Sequence, residues 1–335
     1  MSTSTQAPSE RRSTVVPPAV LHLAERYALA GLLVLVVAFF SLWPKTSLIY
    51  IQPDNIRNIL GSQTVLAVIA LGSIVPLVCG QFDLSVGSVA GLTSVLTAAS
   101  YAHWHLPLVL GILVGILTGA LVGAVNGLLV TRFGVNALIT TLGTASVVTG
   151  IVNWYTKGLA IVQGVPDSLT QFGSKTFLGL PRTLFLLVAV ALGIWYLLEQ
   201  TPFGRYLHAV GGNPGAAELV GLNIPSLVRR SFVVSGAAAG LGGVVLLAQS
   251  GAGNPGVGAT FTLTALAAAF LGATSIRPGR FNVVGTLLAI FFLATAITGL
   301  TFAGVQSFIN DLFTGTALVL AVAISAVLRR RRTLS

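Results

Sequence analysis

From Tyr27 to Leu328 the chain alternates between long apolar blocks and short polar joints. A block of about 20 apolar residues is the length that crosses a hydrocarbon core of roughly 30 Å. The blocks divide into ten, at about 27–43, 58–79, 85–101, 107–131, 136–155, 183–198, 232–250, 262–276, 281–300 and 307–328. The pattern predicts an all-α polytopic membrane protein of about ten transmembrane helices, with residues 27–328 forming one membrane domain. Residues 1–26 read as a disordered cytoplasmic tail and 329–335 as a basic cytoplasmic tail. The first block, Ala28 to Trp43, is long for a signal-peptide core and no small-x-small cleavage site follows it, so it is expected to stay as an uncleaved span.

Composition agrees with the pattern. Only 8% of the 335 residues are charged and 54% are hydrophobic, against roughly 25% charged in a soluble domain. The formal charge of +10 belongs to bases set beside apolar blocks, without the interleaved aromatics of a nucleic-acid surface. Those bases orient the chain. With both termini inside, Arg11, Arg12, Arg26, Arg132, Arg205, Arg229, Arg230, Arg277, Arg280 and Arg329 to Arg332 fall in the cytoplasm. Only Lys45, Arg57, Lys157, Lys175 and Arg182 fall outside, as the positive-inside bias requires. The expected location is a bacterial cytoplasmic (inner) membrane, multi-pass, N-in and C-in. Cys79 is the single cysteine; its apolar neighbours mark a buried small hydrophobe.

Gly111, Gly115, Gly119 and Gly123 recur every fourth residue and make one smooth helix face. In lipid such faces let backbones approach closely, so the series reads as packing. An echo joins two halves: Ala124-Val125-Asn126-Gly127-Leu128, Gly134-Val135 and Leu138-Ile139 resemble Ala296-Ile297-Thr298-Gly299-Leu300, Gly304-Val305 and Phe308-Ile309. An offset of five spans inverts membrane orientation, so the echo points to an inverted 5+5 repeat, or is chance.

The long polar joint, 199–231, contains its own short helix. Asn213 can cap the free N–H groups, Pro214 suits the first helical position, and Gly221 can take the left-handed conformation that ends it. A helix of under two turns does not stand alone in water. Either a partner holds it, through Leu219 and Val220, or it lies against the membrane.

The motifs Gly80-Gln81-Phe82-Asp83-Leu84-Ser85-Val86-Gly87-Ser88, Asn126-Gly127-Leu128-Leu129-Val130-Thr131-Arg132-Phe133-Gly134-Val135-Asn136, Thr141-Leu142-Gly143-Thr144, Gly204-Arg205 with Val210-Gly211-Gly212-Asn213-Pro214, and Leu271-Gly272-Ala273-Thr274-Ser275 before Gly285-Thr286 stand together. In them the chain resembles permease subunits of ABC importers of the ribose, xylose and autoinducer-2 class, distant relatives of branched-chain amino acid permeases. The resemblance implies a transmembrane subunit translocating a monosaccharide or similar polar solute, not an enzyme. It also implies a second permease (homodimer or heterodimer), a cytoplasmic ABC ATPase and an extracytoplasmic solute-binding protein. No cofactor is expected on this chain; ATP and Mg belong to the partner ATPase. The joint 199–231 becomes the coupling loop, with Arg205, Asn213, Pro214, Ala216, Ala217, Glu218 and Gly221 as coupling residues. Gly215 departs from the family's usual acid there, which can move one charged contact to Glu218.

No Walker A loop is present: Ser174-Lys175-Thr176 has Leu169 where the first glycine belongs. His103-Trp104-His105 lacks the partners of a metal site. Trp43, Trp154 and Tyr155 fall at span ends, where interfacial anchoring is expected. Intramembrane polar residues mark a candidate translocation path: Asp83, Asn126, Asn136, Thr140, Thr141, Thr144, Asn153, Gln249, Thr262, Thr264, Asn310 and Asp311. Neutral donors and acceptors suit a polyhydroxylated solute, but they also tie helices together. Asp83 either caps span three, accepting from N–H groups near Ser85 and Val86, or lines a wet cavity. Thr262 and Thr264 stand where sugar permeases of this class often carry acids. The segment Thr156 to Arg182, with Lys157, Asp167, Lys175 and Arg182, is the candidate surface for the solute-binding protein. The alternatives are an ion-coupled secondary transporter, for which few intramembrane charges are present, or an ABC permease for branched-chain amino acids.

Overall fold

The computed structural model describes residues 18–306 and 308–333, without the side chains of 18–25, 310, 311 and 324–333. The helices are α1 (Pro18–Leu42), α2 (Ser47–Tyr50), α3 (Pro53–Ser62), α4 (Thr64–Val78), α5 (Val86–Ala102), α6 (Leu108–Arg132), α7 (Ala137–Thr156) and α8 (Asp167–Ser174). After them come α9 (Arg182–Glu199), α10 (Pro202–Gly212), α11 (Pro214–Leu219), α12 (Ile224–Ser250), α13 (Phe261–Gly272), α14 (Val283–Phe302) and α15 (Phe308–Thr333). Between α8 and α9, β1 (Thr176–Phe177) pairs antiparallel with β2 (Leu180–Pro181), a hairpin absent from the all-α expectation. Among the described residues six helical segments are long and apolar enough to cross a membrane: 53–78, 108–132, 137–156, 182–199, 224–250 and 283–302. Shorter apolar helices cover 26–42, 86–102, 258–272 and 312–323. The chain is a polytopic membrane protein.

α4 and α12 form the centre. Every residue of α4 is buried, as a helix apolar on all sides requires. α12 packs against α4, α5 and α6. The α6 glycine series supplies that packing. A side chain on Gly119 would strike the Gly236 carbonyl, and one on Gly123 that of Phe232, so the α6 and α12 backbones touch directly. α6 and α7 leave Leu113, Leu117, Leu121, Ile139 and Trp154 exposed, the faces lipid or a further subunit would cover.

Several predicted spans differ: the first lies in α1, which starts at Pro18 inside the stretch read as a tail, and the seventh starts at Ile224 rather than 232, inside the 199–231 joint. The second begins at Pro53 rather than 58 and is jointed between α3 and α4 at Gln63. The eighth, expected as a helix over 262–276, is the 12-residue α13, about 18 Å long and too short for a 30 Å core. Non-helical chain from Gly251 to Val257 and a 3-10 turn at Gly258–Thr260 precede it. This stretch runs along α5: Gly253 lies against Val95 and Ala98, Gly258 against Gly91, and Thr262 against Gly87. A second non-helical stretch, 79–85, leads into α5. Pro76 removes a donor near the end of α4 and Gly80 turns the chain at φ +81°.

Candidate functional site

The stretch 79–85 ends on a buried carboxylate. Asp83, only 1% exposed, accepts at Oδ1 from the Ser85 N–H (3.1 Å) and Ser85 Oγ (2.6 Å), and at Oδ2 from Ser235 Oγ of α12 (2.8 Å). The relay continues outward. Asn126 Nδ2 donates to Ser85 Oγ (2.9 Å), and Thr144 Oγ1 of α7 donates to Asn126 Oδ1 (2.6 Å). Leu84 N–H donates to Thr141 Oγ1 (3.0 Å), pinning the same stretch to α7. Four separate elements thus meet on one carboxylate-centred network. Asp83 accepts from Ser85 N–H just before α5 rather than capping the helix, whose N-cap residue Ser85 makes no side-chain cap bond, and its Oδ2 turns to α12.

The start of α5 is also where the two non-helical stretches cross. Thr262 Oγ1 accepts from Gly87 N–H (3.2 Å), giving one of the helix's free donors a partner 175 residues away in sequence. Phe82 stacks on Phe270 with ring centroids 6.0 Å apart, and Phe270 meets Phe281 edge-on at 5.3 Å.

The other predicted path residues scatter. Asn136 caps α7, accepting from Leu138 and Ile139 N–H; Thr140 donates to the Asn136 carbonyl. Gln249 donates to the Gly61 carbonyl (2.8 Å) at the far end of α12, in a polar cleft shared with Asp54, Arg57, Ser62 and Ser174. Asn153 is exposed and Thr264 half-buried. The side chains of Asn310 and Asp311 lie outside the described residues. Among the described side chains of that path, Asp83, Asn126, Thr141, Thr144 and Thr262 converge. Ser85 was named only for its backbone N–H beside Asp83, and Ser235, which completes the network, carried no distinguishing signal in the sequence.

The short helix of the 199–231 joint forms as its residues dictate. Asn213 Oδ1 accepts from Ala216 N–H (3.0 Å), Pro214 begins α11, and Gly221 takes φ +83°. Gly221 N–H reaches the Glu218 carbonyl (2.9 Å) and Leu222 N–H that of Ala217 (3.1 Å), the paired closure of a Schellman motif. Ala217 is 3% exposed while Leu219 and Val220 are 90% and 77% exposed. Ala217, expected as a docking residue, therefore holds α11 to the bundle. Ala216, Glu218, Leu219 and Val220 face outward, and Arg205 is exposed on α10. α10 is seated closely beneath: a side chain on Gly204 would strike the Leu198 carbonyl, and one on Gly211 that of Val78. The joint thus touches the end of α4, immediately before the stretch that carries Asp83.

His208 of α10 is half-buried near the 273–282 turn. Burial pushes its imidazole below the ordinary histidine range; Glu199 opposes that shift, and Arg280 and Arg277 add to it. The stability held by the neutral ring is complete above the unfolded value of about 6.5 and is lost as pH falls through the lower folded value. The thermal midpoint of the protein should fall on acidification below about pH 6.5, and His208→Gln should flatten that fall. An identical pH profile for the variant would remove His208 as its source.

Residues 55–322 match the family described as branched-chain amino acid transport system, permease component. The chain is 34% identical over 307 residues to the ribose import permease protein of Haemophilus influenzae, covering 91% of this chain and 93% of that one. It is 36% identical over 295 residues to the ribose import permease protein of Bacillus subtilis, covering 88% and 90%. Over 307 residues it is 29% identical to the D-allose transport system permease protein of Escherichia coli, covering 91% and 93%. No solved structure matches the chain.

Proposed function

The chain belongs to the family of branched-chain amino acid transport system permease components, a transport subunit rather than an enzyme, and on that premise we propose that it carries a monosaccharide through an ATP-driven importer. The observation that carries the substrate class is the likeness along nearly the whole chain to permeases named for ribose and allose. The converging network adds chemical support: hydroxyl and amide groups line it, with one carboxylate already engaged by three donors.

We further propose ten spans with both termini cytoplasmic, counted from six long and four shorter apolar helices and oriented by the placement of arginine. In this arrangement α4–79–85–α5 and α12–251–260–α13 are counterparts in an inverted repeat. Each is a helix, a non-helical stretch and a second helix, and broken helices at a repeat interface are where transporters of this kind place their route. α10 and α11 then face the ATPase, two permeases and two ATPases assemble, and the 156–182 segment with α8 and the β-hairpin faces the solute-binding protein.

Ribose uptake by vesicles holding the permease, its ATPase and its binding protein tests the function. Uptake should require ATP; ribose entry without ATPase, or leucine entry in place of ribose, overturns the reading. Orientation has its own test. In a Cys79→Ser chain, Leu178→Cys on the β-hairpin should react with a membrane-impermeant thiol reagent in intact cells. Leu219→Cys should react only after permeabilisation, and the reverse pattern would invert the topology.

A further inference from the structure

On the outside of the bundle α9 and α14 diverge and leave a groove of about 410 Å³. Its walls include Val188, Leu192, Trp195, Val284, Leu287 and Phe291, and no charged or polar side chain contributes. Along α14 the lining runs from Val283 to Phe291, about 12 Å of helix. Along α9 the lining runs from Leu184 to Trp195, about 17 Å; one leaflet of a 30 Å hydrocarbon core is roughly 15 Å deep, so the groove is long enough for one acyl chain.

One end of the groove is charged. Four residues beyond Trp195, Glu199 pairs with Arg277, which remains half-exposed. Arg280, exposed, stands three residues before Val283. The turn that carries both arginines is built in advance. Ile276 holds φ +61° and its N–H donates to the Arg26 carbonyl (2.8 Å), which also accepts from Ser275 Oγ (2.9 Å). Asn282 Nδ2 donates to the Ser275 and Arg280 carbonyls (3.2 and 3.1 Å). The backbone that carries Arg277 and Arg280 is thus held beside the apolar groove, and a basic end on an apolar groove has one natural complement.

We propose that an anionic phospholipid of the cytoplasmic leaflet occupies this groove, an acyl chain between α9 and α14 and its headgroup phosphate on Arg277 and Arg280. Basic pockets between helices on the cytoplasmic side recognise anionic headgroups, and guanidinium matches phosphate by bidentate hydrogen bonding. The inference uses the orientation proposed above and is independent of the transported solute. Glu199 sets the affinity: its partial neutralisation of Arg277 keeps the lipid exchangeable.

Trp195 reports occupancy directly. In the full-length chain with Trp43, Trp104 and Trp154 replaced by Phe, Trp195 fluorescence is measured in phosphatidylcholine vesicles containing brominated phosphatidylglycerol or brominated phosphatidylcholine. The anionic lipid should quench with about tenfold higher relative affinity. Arg277→Gln with Arg280→Gln should bring the ratio near one, while Glu199→Gln, which breaks the same ion pair, should raise it. Equal quenching by both lipids, or quenching by neither because a second protein surface covers the groove, overturns the proposal. So does loss of preference in Glu199→Gln, which would make the ion pair merely structural. Inorganic phosphate should not relieve the quenching; relief would mark an anion site without a lipid.

Discussion

A chain carrying Leu219→Glu and Val220→Glu should fold and insert normally but lose ATP-driven uptake and co-purification of the ATPase. Both side chains are almost fully exposed on α11, at 90% and 77%, so nothing within the chain depends on them. Burying a Leu or Val against a partner contributes about 1.5–3 kcal/mol each, and two carboxylates in the same groove would add a desolvation cost. The docking affinity should therefore fall at least about 100-fold. Ala217→Glu is a poorer probe, because Ala217 is buried and a charge there would detach α11 from its own bundle. If the double variant retains the ATPase, Leu219 and Val220 rest on lipid and the coupling assignment is wrong.

That α11 was legible in advance follows from the physics of short helices. Cap, first-turn proline and left-handed glycine all act within a few residues of one another, so Asn213, Pro214 and Gly221 carry the element in the sequence itself. The direction each residue faces is set elsewhere. Whether Ala217 or Leu219 points inward depends on the seat of α10, which Gly204 and Gly211 fix against the ends of α9 and α4. The glycine face of α6 was legible for the same local reason, since its four-residue spacing needs no knowledge of the opposing Gly236 and Gly240.

The interrupted helices were hidden because their stabilising partners are remote. A short apolar helix entered from non-helical chain looks like any other span when only hydropathy is read, and the 262–276 block was apolar enough to pass as a full-length span. What keeps 251–260 unwound is its contact with α5 at Gly87 and Gly91. A non-helical stretch between apolar helices is tolerated where protein covers its polar groups, and here Gly253 exchanges backbone hydrogen bonds with Ile161 (2.9 and 3.0 Å). Asp83 posed the same difficulty. Its local bond to the Ser85 N–H was readable, but the bond to Ser235 crosses 152 positions, and it is that bond which turns a local turn contact into a link between elements.

Asp83→Ala should therefore be far more damaging than Asp83→Asn. Alanine leaves the Ser85 N–H and the hydroxyls of Ser85 and Ser235 without their acceptor in a site that water does not reach. Unpaired buried donors cost about 1–3 kcal/mol each; hydroxyl rotation recovers part of this, so a net loss of about 2–5 kcal/mol is expected. Asparagine keeps one oxygen for Ser85 and offers an amide N–H to Ser235, whose hydroxyl can accept as well as donate, leaving a loss near 1 kcal/mol. Thermal unfolding of the two variants measures the order. Transport separates this site from the docking surface: Asp83→Ala should retain the ATPase while uptake falls more than about tenfold, an effect of at least 1.4 kcal/mol on the barrier. Uptake lost equally in both variants would assign the role to the carboxylate charge rather than to its acceptor geometry. Normal uptake in Asp83→Ala would mean that the stretch entering α5 is held by Thr141 and Thr262 alone, and that the link to α12 has no part in moving the solute.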